Sequence, residues 1–301
     1  MQVFVTGASG HIGSALIPDL LHHGHEVVGL ARSGGSVAAV EALGATVRRG
    51  SLDDLDVLRE AATASDGVIH LAFKHEEMRS GDFEGAIATD QRALGVIGEA
   101  LAGSGKPLVG TSGTLMLTFN GLERTGTESD VVEAGPRVDA ENAVIALADR
   151  GVRSSIVRLP PIVHSSLDHH GFLPGLIGFA RRNGVAGYVG DGANRWPAVH
   201  TLDAARVYRL ALESAPAGSR LHAVADQGIP FRTLAEAIGR HLDLPAATVP
   251  PEEIEATFDY LAFFVSLDNP TSSTLTRELL DWEPTHPGLV DDIDEGHYFE
   301  E

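Results

Sequence analysis

The chain has 301 residues, 43% apolar and 21% charged, a balance that supports a sizeable core and excludes disorder and collagen-like repeats. Its 22 basic against 42 acidic side chains leave −20 with histidine neutral, which argues against binding nucleic acid or anionic lipid. The absence of cysteine excludes disulfides, a thiolate metal site and a cysteine nucleophile.

The first residues, Met1-Gln2-Val3-Phe4-Val5-Thr6-Gly7, lack a basic leader and run straight into an apolar strand, so the expected compartment is the cytoplasm. No stretch approaches the roughly 20 apolar residues that cross a bilayer, and no membrane partner is expected. Strands are predicted at residues 3–6, 26–30, 46–49, 67–71, 107–111 and 154–158. Helices are predicted between them at 12–23, 55–62, 82–102 and 138–150. Short apolar runs alternating with longer helical patterns predict βαβ units and a parallel sheet covered on both faces. The expected fold class is α/β, a doubly wound parallel sheet with a smaller, mostly helical C-terminal part.

After Pro160-Pro161 the rhythm changes. Residues 161–200 are rich in Gly, His and Pro, with one helix near 174–182. A helix at 203–214 and an apolar run at 221–225 read as a return to the sheet. Beyond 231 the pattern is of short helices, at 231–242, 251–260 and 272–280, then a last one with an acidic end. Residues 291–301 hold six acids and no Lys or Arg, and are expected to be solvated. The expected division is a dinucleotide-binding domain at 1–160, its sheet completed by 201–226, and a substrate-binding part at 161–200 and 227–301.

Thr6-Gly7-Ala8-Ser9-Gly10-His11-Ile12-Gly13 lies between the first strand and the first helix. There Gly7 permits a tight turn, Gly10 lets the backbone approach a pyrophosphate, and Gly13 lets the helix pack on the strand. The helix N-terminus then presents N–H groups and a positive dipole end to the phosphates. The TGxxGxxG spacing resembles the extended short-chain dehydrogenase/reductase family, the Rossmann-fold group that contains NAD-dependent epimerases and dehydratases. Asp66-Gly67-Val68-Ile69-His70-Leu71-Ala72 is similar to that family's fourth strand, and Leu279-Leu280-Asp281-Trp282-Glu283-Pro284 to its C-terminal ending. The resemblance implies cofactor contacts at Gly7, Ser9, Gly10, His11, Ile12 and Gly13, then at Arg32, Ser33, Ser51 and Leu52. It implies further contacts at Leu71, Ala72, Thr111, Pro160 and Val163. A homodimer through the helices at 82–102 and 138–150 is also implied. At the end of the second strand, where NAD-binding folds carry an acid, the chain reads Ala31-Arg32-Ser33. Arg32 can pair with a 2′-phosphate and Ser33 can donate to it, so the expected cofactor is NADP, with NADPH preferred over NADH.

The resemblance also implies a Tyr-x-x-x-Lys pair and a serine that polarises the carbonyl. Ser112 stands at the serine's place in Thr111-Ser112-Gly113-Thr114. Where the pair belongs the chain reads Arg137-Val138-Asp139-Ala140-Glu141. Arg137 can stabilise an oxyanion but cannot shuttle a proton, and Glu141 can accept from ribose hydroxyls. An ordinary surface pair between the two is the plainer alternative. His75, beside Lys74 and after the fourth strand, is the candidate proton donor, with His164 as a second. No metal site is expected: His22-His23-Gly24-His25 reads as a helix end, and His164 with Asp168-His169-His170 fits no firm ligand spacing. Three readings remain open: an NADP(H)-dependent oxidoreductase or epimerase-like enzyme acting on a small carbonyl or alcohol, a catalytically silent NADP(H) sensor, and a sugar-nucleotide epimerase/dehydratase. The third would need Arg181, Arg182 and Arg195 to gather around a second pyrophosphate.

Overall fold

The computed structural model describes residues 1–135 and 137–300, without the side chains of Met78 and Arg79. The N-terminal half alternates strands and helices: β1 (Gln2–Thr6), α1 (His11–His22), β2 (Glu26–Ala31), α2 (Gly34–Ala42), β3 (Thr46–Arg49), α3 (Leu55–Ala64) and β4 (Gly67–His70). It continues through α4 (His75–Arg79), α5 (Phe83–Leu101), β5 (Pro107–Gly113), α6 (Leu115–Phe119), α7 (Val138–Ala146) and β6 (Arg153–Leu159). Then come β7 (Ile162–His164), α8 (Phe172–Asn183), β8 (Ala186–Val189), β9 (Arg195–His200), α9 (Thr201–Ser214), β10 (Ser219–His222) and β11 (Asp226–Pro230). The chain ends with α10 (Phe231–Leu242), β12 (Ala246–Val249), α11 (Ile254–Phe258), α12 (Thr274–Leu280) and α13 (Leu289–Asp294).

Seven strands form one parallel sheet in the order β10-β6-β5-β4-β1-β2-β3. Both faces are apolar, because each strand is covered twice. On one face Leu16, Ile17 and Leu20 of α1 pack with Val207, Ala211 and Leu212 of α9. On the other, Leu58 of α3, Leu94 and Ile97 of α5 and Val144 of α7 close the second layer. The strand order reverses direction between β1 and β4, and the glycine-rich turn leaves β1 at that crevice.

The doubly wound sheet is the architecture expected from the sequence. The C-terminal part adds to its helices two small sheets, β11-β9-β7 and β12-β8, that the sequence reading did not contain. Their strands are three to six residues long and pair across distant segments, so no local alternation marks them. Helix α2 was likewise missed, since it opens on Gly34-Gly35 and reads locally as a loop. The acidic end is corrected: Asp292 and Ile293 are buried, and Phe299 stacks on His241 at 4.6 Å. Acids on one face of α13 remain in water while the opposite face docks on the second core.

The chain returns to the first core through Trp282, which is fully buried and donates its indole N–H to the Asp203 carbonyl at 3.2 Å. Trp282→Ala should therefore lower unfolding free energy in urea by about 3–5 kcal/mol. A loss below about 1 kcal/mol would show that the C-terminal segment is not anchored there.

Candidate active site

The glycine-rich turn is fixed by backbone contact. Gly7 has φ +68°, and a Cβ added there would lie 2.8 Å from the Ala72 nitrogen. A Cβ on Gly13 would lie 2.4 Å from the Gly7 carbonyl oxygen, and one on Gly10 3.1 Å from the same atom. Gly10 is the extended N-cap of α1 and has no side chain to cap it, so the first turn keeps its N–H groups toward the crevice. Thr6 ties the turn to β4: its hydroxyl accepts from the Ala72 N–H at 3.2 Å and donates to His70 Nδ1 at 3.0 Å. His70 Nε2 then carries the proton and donates to Asp90 at 3.0 Å. The turn is thus bare of side chains at three positions from Gly7 into the first turn of α1, Gly7 and Gly13 by backbone contact and Gly10 at its N-cap, which suits a dinucleotide pyrophosphate.

Around this turn lie the other predicted cofactor residues. Ser9 is exposed and Ile12 half-buried; His11 turns inward, with Nε2 2.7 Å from Thr201 Oγ1. The Leu71 N–H donates to the Thr6 carbonyl at 3.3 Å. Thr111 donates to the His70 carbonyl at 2.7 Å and accepts from the Tyr208 hydroxyl at 2.8 Å. Ser51 donates to Asp54, Leu52 and Pro160 are buried, and Val163 is half-buried on β7. At the far end of the crevice Arg32 is exposed and pairs with Glu76 at 3.1 Å. Ser33 is the N-cap of α2, its hydroxyl accepting from the Ser36 N–H at 3.1 Å. Arg49 stands beside Ala31 in the β2–β3 register, a second cation at this end that the sequence reading overlooked.

The candidate catalytic residues divide into two groups. Arg137, in the left-handed region at φ 63°, lays its guanidinium 4.0 Å over the Phe73 ring, and His75 packs edge-on to that ring at 5.2 Å. Ser112 and Glu141 belong to a buried network instead. The Glu141 carboxylate accepts from Arg158 Nη2 at 2.5 Å and from Arg220 Nε at 2.9 Å. Arg158 also donates to His222 Nε2 at 3.3 Å, leaving His222 Nδ1 to donate to the Ser272 carbonyl at 2.7 Å. Burial pushes the Glu141 carboxyl up, but Arg158, Ser112 and Arg220 together hold it below the usual carboxylate range. The Ser112 hydroxyl is buried without a hydrogen bond of normal geometry among the described residues.

Several expectations are corrected here. Glu141 does not pair with Arg137, and both its oxygens serve Arg158, so it is not placed to hold a ribose. His164 is fully buried and donates from Nδ1 to Asp292 at 2.9 Å, which withdraws it as a proton donor to the crevice. Lys74 pairs with Asp53 at 2.9 Å. Arg195 grips Asp268, Arg182 donates to the Thr257 carbonyl and Arg181 to the Phe299 carbonyl, so no joint pyrophosphate site forms from the three. Sequence reasoning missed Arg158 and His70. The signal was present, since each is a polar residue inside an apolar strand run, where burial demands a partner.

A family model described as the NAD dependent epimerase/dehydratase family matches residues 3–93. A protein of Schizosaccharomyces pombe, described as uncharacterized, is 46% identical over 301 residues, covering 99% of this chain and 100% of its own. The chain belongs to the NAD-dependent epimerase/dehydratase family. Within or beside that family it is 28% identical over 235 residues to a Stigmatella aurantiaca ketoreductase of a farnesylated dihydroquinoline-oxide, covering 72% of this chain and 66% of that protein. Among solved structures, a Bacillus cereus UDP-glucuronic acid 4-epimerase in complex with UDP-glucuronic acid and NAD superposes with a TM-score of 0.75 at 17% identity, covering 99% of this chain and 98% of that one. The family's Tyr-x-x-x-Lys does not occur in this sequence: His70 and Ala102 stand four residues before its two lysines.

Next to the turn, burial raises the Asp168 carboxyl to about 7, although the Gly171 and His170 N–H groups oppose this. Burial, with His169, His164 and His200 nearby, lowers His11 to about 4. Asp168 therefore holds its proton in the folded chain where the unfolded chain has lost it. Its contribution falls as pH rises from about 4 to 7 and is flat above that. Asp168→Asn removes this penalty, so the melting temperature of the variant should gain on the wild type across that window. A constant difference from pH 4 to 8 would contradict a raised Asp168.

Proposed function

We propose that the chain is an NADP(H)-dependent oxidoreductase that interconverts a small ketone and its alcohol. The observation that supports this most is the glycine-rich turn at the switch point, where backbone contact requires glycine at positions 7 and 13 and Gly10 opens the helix without a side chain. The family supports nicotinamide chemistry, and the name of the Stigmatella relative favours a ketone over a sugar nucleotide. The separate engagements of Arg181, Arg182 and Arg195 favour it as well.

NADP over NAD rests on the far end of the crevice. Among the described residues Arg32 is held by an exposed ion pair with Glu76, which exchanges at little cost for a 2′-phosphate. Ser33, the N-terminus of α2 and Arg49 add donors and positive charge there. When bound, the dinucleotide supplies or accepts the hydride. The Ser112 hydroxyl donates to the carbonyl oxygen, and Arg137, charged at any working pH, steadies the negative charge that develops there. His75 delivers the proton from the edge of the site. Glu141 remains ionised and holds α7 against β6 through Arg158. Residues 161–200 and 227–301 shape the substrate pocket.

A thermal-shift titration distinguishes the cofactors. At a hundredfold excess over Kd, NADPH should add roughly 2.7 kcal/mol of stability, whereas NADH at the same concentration should add far less. Arg32→Glu should abolish the difference; equal losses for both cofactors would remove Arg32 from 2′-phosphate recognition. With a panel of ketones, His75→Ala should lower turnover at least tenfold and flatten the pH profile near neutrality. An unchanged profile would end its role as donor, and cofactor binding with no turnover of any ketone would favour a silent sensor.

A further inference from the structure

The end of the chain folds its acidic segment back on itself. Helix α13 stops at Asp294, Gly296 adopts φ 88°, and His297 returns alongside the helix. One ligand-type atom from each of Asp292, Glu295 and His297 consequently lies within 4.8 Å of the others. Asp292 Oδ2 and His297 Nε2 are 3.8 Å apart, too far for a hydrogen bond. That spacing is near the edge of about 3.4 Å expected for two ligands bound tetrahedrally at about 2.1 Å.

Two observations set this corner apart from an ordinary acidic surface. His297 Nε2 is shielded from solvent and has no hydrogen-bond partner among the described residues, although a buried imidazole nitrogen ordinarily has one. The Asp292 side chain is 2% exposed, and the fully buried His164 donates from Nδ1 at 2.9 Å to Oδ2, the same oxygen that lies 3.8 Å from His297 Nε2. A ligand oriented by a buried second residue is the arrangement that metal centres require. Asp294 is occupied elsewhere, by Arg240 and His241, while Glu295 is exposed and already offers its carboxylate to the set.

We propose that Asp292, Glu295 and His297 form a site for one divalent transition-metal ion of the zinc class, with solvent completing the coordination. An imidazole with two carboxylates suits zinc or cobalt better than magnesium, which prefers oxygen alone and keeps its water. The ion would fasten the C-terminal turn to β7 through the Asp292–His164 contact. The same turn carries Tyr298, whose hydroxyl accepts from the Ser165 N–H at 2.9 Å.

The test is calorimetric titration of the chelator-stripped full chain with zinc chloride and, separately, magnesium chloride, with cobalt absorption as a spectroscopic readout. One zinc per chain should bind at least tenfold tighter than magnesium. Glu295→Gln, an exposed change that spares the fold, should weaken zinc at least tenfold, and His297→Gln should abolish both zinc binding and the cobalt spectrum. No zinc binding would overturn the proposal. So would equal zinc binding by the wild type and both variants, which would assign the ion to other histidines such as His22 and His25.

Discussion

The carbonyl oxygen of Gly7 occupies the space that any side chain on Gly13 would need, and Gly7 itself is pressed against the backbone of Ala72. This three-way contact of β1, α1 and the exit of β4 sets how closely the first helix lies on the sheet. It aims the open N-terminus of α1 into the crevice where strand order reverses, and it admits no side chain at Gly7 or Gly13. Thr6, His70 and Asp90 brace the same corner from beneath through a chain of hydrogen bonds with one consistent proton assignment. The cofactor reading, the place of Ser112 and the approach of Arg137 all depend on that corner.

A second constraint lies across the crevice. Arg158 is buried near the C-terminal end of β6, and such a charge is tolerable only when it is paired and hydrogen-bonded. Glu141, His222 and the Asp130 carbonyl supply these partners. The price is that Glu141, one turn beyond Arg137 on α7, is spent on structure and is not available to a ligand. Glu141 thus serves to lock α7 to the sheet. Arg137 lies outside that network, over the Phe73 ring that His75 also meets edge-on.

The doubly wound sheet was legible because its signals are local: apolar runs of four to seven residues, helices between them, and glycines at a strand–helix junction. The small C-terminal sheets were not, because β7, β9 and β11 gain their order from one another across tens of residues. At the site, Gly7, Gly10 and Gly13 follow from spacing alone, and backbone contact forbids a side chain at Gly7 and Gly13. The partners of Glu141 and His164 do not, because Arg158, Arg220 and Asp292 come from strands and helices far along the chain. A charged residue within an apolar strand announces that a partner exists without saying which one it is.

The central claim is that the glycine-rich turn is the seat of a dinucleotide, and its most direct test is nicotinamide fluorescence on adding NADPH to the wild type and to Gly10→Val. Gly10 has an ordinary extended backbone, so the valine should leave the circular dichroism spectrum unchanged while filling the approach to the turn. The account predicts saturation at one NADPH per wild-type chain and at least a hundredfold weaker binding by the folded variant. Equal binding by the two, or none by the wild type, would contradict it.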